Sequence, residues 1–308
     1  FGVIITQYLT QPISQLSKNI MNFVKSGFEE KNDIRSNTSI TEVYMLEENY
    51  FQMKNQIQTL LFDFQKKVEE RTEEIESQKE ELEKQKLKVD EINKYLFSSI
   101  RYAKKIQEAI MPKNEQMSEN FRNFVLINKP KDIISGDFFW FRRIKNENFN
   151  ILLFAVADCT GHGVPGALMS MLSIAYLNEI VIRKDVISAN KVLEILRINI
   201  INNFQHDGLD IAFVIYHIDK KVIEFAGAYR NLYIKRNNEI IKIKGNRMPI
   251  GKYPISDLFD NHFFEYQKND VVFSFSDGIS DQMNSEGIKF GTKQLLEIVK
   301  NSKNSNEL

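Results

Sequence analysis

Every seventh residue from Leu61 to Ile110 is apolar. Positions 61, 68, 75, 82, 89, 96, 103 and 110 carry Leu, Val, Ile, Leu, Val, Leu, Ala and Ile. A strict seven-residue repeat keeps one seam on one face of a slightly underwound helix, the geometry of a left-handed coiled coil. The partner column is Ile57, Phe64, Ile92 and Ile106, but Arg71, Gln78, Gln85 and Ser99 interrupt it. One column is strong and the other partly polar. That pattern suits an element that shifts between registers, or simply a marginal coil. A solvated single helix held by Glu/Lys pairs is the alternative. A repeat sustained for about fifty residues favours a coiled coil over 59–111; a parallel homodimer is expected if both chains emerge from the same membrane face. Pro112 ends the helix, because the residue before proline avoids the helical region.

The rest of the composition is that of a globular chain. Of 308 residues, 43% are hydrophobic and 27% charged, enough apolar material for a packed core. Lys+Arg and Asp+Glu both number 41, so no basic excess points to nucleic acid. A single cysteine excludes an internal disulfide framework. The four histidines, His162, His206, His217 and His262, supply a His/Cys zinc site poorly. No stretch reads as a transmembrane helix, which needs roughly 20 apolar residues.

Upstream of the repeat, Leu9, Ile13, Leu16, Ile20, Phe23 and Val24 form one stripe of a helix over 8–26. Gly27 is its stop signal, and a polar stretch follows over 28–39. A second helix starts near Ser39-Ile40-Thr41-Glu42, with Val43, Leu46, Tyr50, Met53 and Ile57 as its apolar positions. With Pro12, Leu16, Gly27 and Glu42 in place, residues 1–58 resemble a HAMP linker, although Tyr44 stands where that family usually has glycine. The resemblance implies a membrane segment upstream of Phe1 and a position on the cytoplasmic side of the bacterial inner membrane, with the present fragment itself soluble.

After Pro112 the texture changes. Apolar runs of strand length occur at 124–128, 151–157, 211–218, 222–226, 232–235, 240–243 and 271–276, with two helices at 165–183 and 189–203 between them. This order predicts an α+β domain over 113–308, a β-sandwich flanked by helices, with a long N-terminal helical and coiled-coil extension.

Three aspartates sit at the rims of apolar runs. Asp137 lies in Ser135-Gly136-Asp137-Phe138, Asp158 follows the buried run 151–157, and Asp277 follows Phe275-Ser276 and precedes Gly278. Each alone reads as a turn residue. Together they are carboxylates that repel at close range unless a cation neutralises them. Hard oxygen donors with little His or Cys point to magnesium or manganese. Asp158 opens a glycine-rich turn, Cys159-Thr160-Gly161-His162-Gly163, that runs into a helix. Asp210 either faces such a site or caps a turn. Arg230 reads as a phosphate contact or, more simply, a solvated arginine.

Ser-Gly-Asp-Phe at 135–138, Asp-x-x-Gly-His-Gly at 158–163, Ala-Gly at 226–227, Pro-Ile-Gly at 249–251 and Phe-Ser-Asp-Gly at 275–278 occur in one order. The set resembles the SpoIIE-type branch of the metal-dependent PPM protein phosphatases from about residue 113 onward. The resemblance implies a serine/threonine protein phosphatase of bacterial signal transduction, working by two-metal hydrolysis. Two manganese or magnesium ions would activate the attacking water. Asp137, Asp158 and Asp277 match the metal carboxylates and the catalytic set, and the Cys159 carbonyl matches a backbone ligand. The implied substrate is a phosphorylated protein such as an anti-sigma-factor antagonist. Ala228-Tyr229-Arg230-Asn231 departs from the Asn-Pro usual after Ala-Gly, and the helix at 292–300 is followed by a polar tail where the family has a further strand and carboxylate. On that reading the domain is expected to be truncated. A sensor histidine kinase is the rival enzyme, but no histidine lies on the long helix. A weakly catalytic phosphatase-fold scaffold that binds partner regulators is the other alternative.

Overall fold

The computed structural model describes residues 2–302, except 30–34, 36–40, 122, 148–149, 183–187, 205–206 and 255–256. Most of the polar connector at 28–39, His206 and the end of the tail fall outside the described residues. The chain divides into two compact units, Phe1–Asn93 and Lys94–Leu308.

In the first unit, α1 (Gly2–Lys25) and the first part of α2 (Thr41–Ile110) are the regular elements. Helix α1 stops where the sequence places its glycine. Gly27 and Phe28 take left-handed φ of 67° and 72°, and the Phe28 N–H closes back on the Phe23 carbonyl at 2.9 Å. Leu16, Phe23 and Tyr50 are buried together against Phe51 and Ile57. Tyr50 Oη donates to the Asn19 carbonyl at 3.2 Å. Of the other predicted stripe residues, Val43 is buried, and Ile13, Ile20, Val24, Leu46 and Met53 are exposed. Helix α2 is 70 residues long in all, and Leu61, Val68, Ile75, Leu82, Val89 and Leu96 are exposed along it.

In the second unit, a short α3 (Asn114–Ser118) precedes β1 (Asp137–Lys145) and β2 (Asn150–Cys159). Two helices follow, α4 (Gly163–Ile182) and α5 (Ala189–Asn203). Strands β3 (Leu209–His217), β4 (Val222–Ala228), β5 (Leu232–Arg236), β6 (Glu239–Ile243), β7 (His262–Glu265) and β8 (Val271–Phe273) come next. The one-turn α6 (Asp277–Ser280) and α7 (Gly291–Asn301) close the order.

Five strands form one antiparallel sheet in the order β1-β2-β3-β4-β7, and three form another in the order β6-β5-β8. Strand β3 lies at the centre and is buried on both faces, so it reads as a continuous apolar run. Ile211, Phe213 and Ile215 join the core that includes Leu177, Leu193 and Leu196 of the two helices. Ala212 and Val214 point the other way and pack with Phe225, Leu232 and Ile234 between the sheets. The result is two sheets with helices on one outer face, the predicted α+β sandwich.

Several local expectations change. The run at 124–128 is not a strand, whereas 137–145 and 262–265 are. Strand β8 ends at Phe273, so Asp277 opens a helical turn instead of ending a strand. Helix α4 has the length and composition of a membrane span, but half of its apolar stretch is buried inside the domain.

Candidate functional site

Strand register builds the site. Asp137 of β1 stands opposite Asp158 of β2, and Asp158 stands opposite Asp210 of β3. Three carboxylates therefore form a row across adjacent strands, an arrangement that destabilises a sheet when nothing offsets the charge. Asp277 reaches the same place from the first turn of α6. Ser276 Oγ donates to Asp137 Oδ2 at 2.8 Å, and the Asp137 N–H donates to Ser135 Oγ at 3.0 Å. A Cβ on Gly278 would stand 3.0 Å from that same Asp137 oxygen, so the turn passes close above the carboxylate.

The glycine-rich turn after β2 folds tightly beside this row. A Cβ at Gly166 would meet the Gly161 carbonyl at 2.5 Å, so only glycine allows the start of α4 to approach the loop this closely. The Cys159 side chain is buried, and its carbonyl lies 3.2 Å from where a Cβ of Gly136 would sit. Burial, and then the neighbouring Asp158 charge, push the Cys159 thiol well above its usual range, so the sulfur stays protonated. His162 is almost fully exposed, 3.8 Å from an Asp132 carboxylate oxygen.

Two residues whose roles the sequence left open complete the charge at the row. Asp210 faces the site. Arg230, far from being solvated, has a side chain only 12% exposed. Its Nη2 bonds to Asp158, and lies 3.2 Å from Asp277 and 3.5 Å from Asp210. Burial, followed by the hydrogen bond and charge of Asp137, pushes the Asp158 carboxyl up to about 8, with Arg230 pulling the other way. Burial raises Asp210 as well, again against Arg230. Four carboxylates thus converge with one guanidinium.

An all-oxygen donor set of this kind fits divalent magnesium or manganese. Among the described residues, however, no three His, Cys, Asp or Glu side chains are already set as a closed metal cluster. Arg230 is the cation now among Asp158, Asp210 and Asp277. Neither Asp210 nor Arg230 belongs to the short motifs. The signal that finds them is register: β2 and β3 pair with Asp158 against Asp210, and β4 ends at Ala228, two residues before Arg230.

No curated protein matches the chain. The SiaA-PP2C domain of Pseudomonas aeruginosa is 27% identical, with a TM-score of 0.62, over 70% of this chain and 86% of that one. The PP2C phosphatase domain and regulatory fragment of SpoIIE from Bacillus subtilis is 17% identical, with a TM-score of 0.47, over 56% of this chain and 48% of that one. RsbX in complex with magnesium is 15% identical, with a TM-score of 0.44, over 59% of this chain and 80% of that one. The family model for stage II sporulation protein E (SpoIIE) matches residues 150–308, from the start of β2 through Asp158, Asp210, Arg230 and Asp277. With just over half of its length matched in this way, the chain belongs to the SpoIIE family and carries its PP2C-type phosphatase fold.

Proposed function

We propose that this chain hydrolyses phosphoserine and phosphothreonine in a bacterial signalling protein, using two manganese or magnesium ions held at the aspartate row. The observation that carries the reading is the opposition of Asp137, Asp158 and Asp210 across three strands, with Asp277 above them. Asp137, Asp158 and Asp277 would hold the ions, with the Cys159 carbonyl as a backbone ligand and Asp210 as a further carboxylate. The ions, when bound, supply Lewis acidity that activates water and offsets charge on the phosphoryl oxygens. The protein's part is to hold the carboxylates in place. Ser276 and Ser135 fix Asp137 through its carboxylate and its N–H, and the β1–β2–β3 ladder fixes Asp158 and Asp210. Preorganised charge of this kind is usually the largest single contribution to enzymatic rate enhancement.

The substrate class that suits the reading is a small phosphorylated regulator such as an anti-sigma-factor antagonist. The exposed apolar column on α2 supports a parallel homodimer formed through residues 59–111. A weakly catalytic scaffold that binds partner regulators is the second reading, and the guanidinium already among the carboxylates favours it. Release of inorganic phosphate from phosphoserine, phosphothreonine and phosphotyrosine peptides separates the two. Turnover of the first two that is abolished by chelation and restored by Mn²⁺ supports the phosphatase. No turnover of any peptide at saturating Mn²⁺ supports the scaffold.

A further inference from the structure

The backbone around Arg230 is built to deliver its side chain. Tyr229 takes a left-handed φ of 52°, a region uncommon for a residue with a side chain. The Arg230 N–H turns back to the Ala228 carbonyl at 2.6 Å. A Cβ at either Gly227 or Gly245 would meet the Arg230 carbonyl at 2.3 Å, so two glycines make room for this residue from either side. The guanidinium then reaches three carboxylates from three separate elements: Asp158 of β2, Asp210 of β3 and Asp277 of α6. Its Nε is buried with no partner, so the group sits for its contacts at one end and leaves the other unsatisfied.

We infer that Arg230 is a resident counter-cation that competes with divalent metal for Asp158, Asp210 and Asp277, and so sets the metal affinity of the site. The inference rests on the metal-dependent reading above. A guanidinium and a metal ion cannot accept the same carboxylate lone pairs at once, and two cations at such range repel. In the metal-free protein the arginine relieves the repulsion of the aspartate row. Metal loading requires its withdrawal, and its cost is subtracted from the binding.

Direct Mn²⁺ binding, followed by loss of the free-ion electron paramagnetic resonance signal, tests this in the full chain without any activity assay. The proteins are wild type, Arg230→Met, Arg230→Lys and Asp158→Asn. Arg230→Met keeps much of the side-chain length without the charge and is expected to bind Mn²⁺ about tenfold or more tightly than wild type. It is also expected to melt at a lower temperature in chelator. Arg230→Lys keeps a single point charge that cannot bridge three carboxylates, and its affinity is expected between the two. If Arg230→Met fails to fold, Arg230→Lys decides alone, and an affinity no greater than wild type overturns the inference. Wild-type binding that Asp158→Asn abolishes, with Arg230→Met equal to or weaker than wild type, leaves the metal site standing and overturns the counter-cation. No Mn²⁺ binding by any of the four proteins overturns the metal reading and this inference with it.

Discussion

Asp137 and Asp158 stand directly opposite each other on neighbouring antiparallel strands. Like charges in that relation weaken a sheet, yet this pair sits at the end of a hairpin whose remaining positions pack Phe138, Trp140, Ala155 and Ala157 into the core. The apolar register fixes the hairpin and forces the two carboxylates together. Core packing thus supplies the energy that holds the charged row in place.

That dependence predicts the effect of cutting into the core beneath the row. Phe213 is fully buried on the central strand and stacks on Trp140 with ring centroids 5.9 Å apart. Phe213→Ala is expected to cost about 3–5 kcal/mol. Urea denaturation measures it, and a loss below about 1 kcal/mol would show that the site does not rest on this core.

The end of the long helix holds Ser135, the residue that accepts the Asp137 N–H. Gln107 is buried, its Nε2 donates to the Ser135 carbonyl at 2.7 Å and to Ser170 Oγ at 2.8 Å, and its Oε1 accepts the Ser135 N–H at 3.3 Å. Ser135 in turn accepts the Asp137 N–H. Gln107→Leu strands these groups and is expected to cost about 1–3 kcal/mol. Chemical denaturation of the variant beside wild type checks the size, and an unchanged midpoint would remove Gln107 from the support of Ser135.

Acid stability has a separate source. Glu224 is buried, and burial alone would raise its carboxyl. The hydrogen bonds from His217, Asn261 and the Ala189 N–H outweigh burial and hold it below the usual carboxylate range. A lowered folded value contributes stability at neutral pH that is lost as pH falls from the unfolded value, about 4.3, through the lower folded one. Glu224→Gln is therefore expected to melt below wild type at pH 7, with the gap closing as pH drops below about 4. A gap that stays constant from pH 7 to pH 3 would count against the ionised carboxylate.

The exposed column of α2 predicts self-association. Ile75→Cys is expected to crosslink to its twin under mild oxidation, because Ile75 lies in the middle of the column and Cys159, the chain's single natural cysteine, is buried. Sedimentation at micromolar concentration should give a dimer. A monomer there, with no crosslink, would leave the column as one face of a solvated helix.

The sequence made most of this fold readable where apolar runs are long and local. Strands β2, β3, β4, β5 and β6 and both core helices appear close to where their patterns place them. Strand β1 was missed although Phe138 and Trp140 alternate inward, because the polar half of the pattern is itself partly aromatic, with Phe139 and Phe141. Strand β7 is a four-residue edge strand with too few alternations to register. The run at 124–128, Phe-Val-Leu-Ile-Asn, is apolar and of strand length but forms no strand among the described residues. In the site, Asp137, Asp158 and Asp277 were legible because each lies in a short motif with glycine. Asp210 and Arg230 were ambiguous because what brings them in is non-local: the β2–β3 register for one and a left-handed turn after β4 for the other.

Whether the aspartate row is a metal-dependent phosphatase site is decided by phosphate release at saturating Mn²⁺ from wild type, Asp158→Asn and Asp277→Asn side by side. Each substitution removes one oxygen anion from the row while keeping its shape, so circular dichroism should show the fold unchanged. A metal-dependent site gives turnover by wild type and a loss of about a hundredfold or more in both variants, the scale on which a single electrostatic group at a reacting centre matters. Wild-type turnover retained in both variants would contradict it.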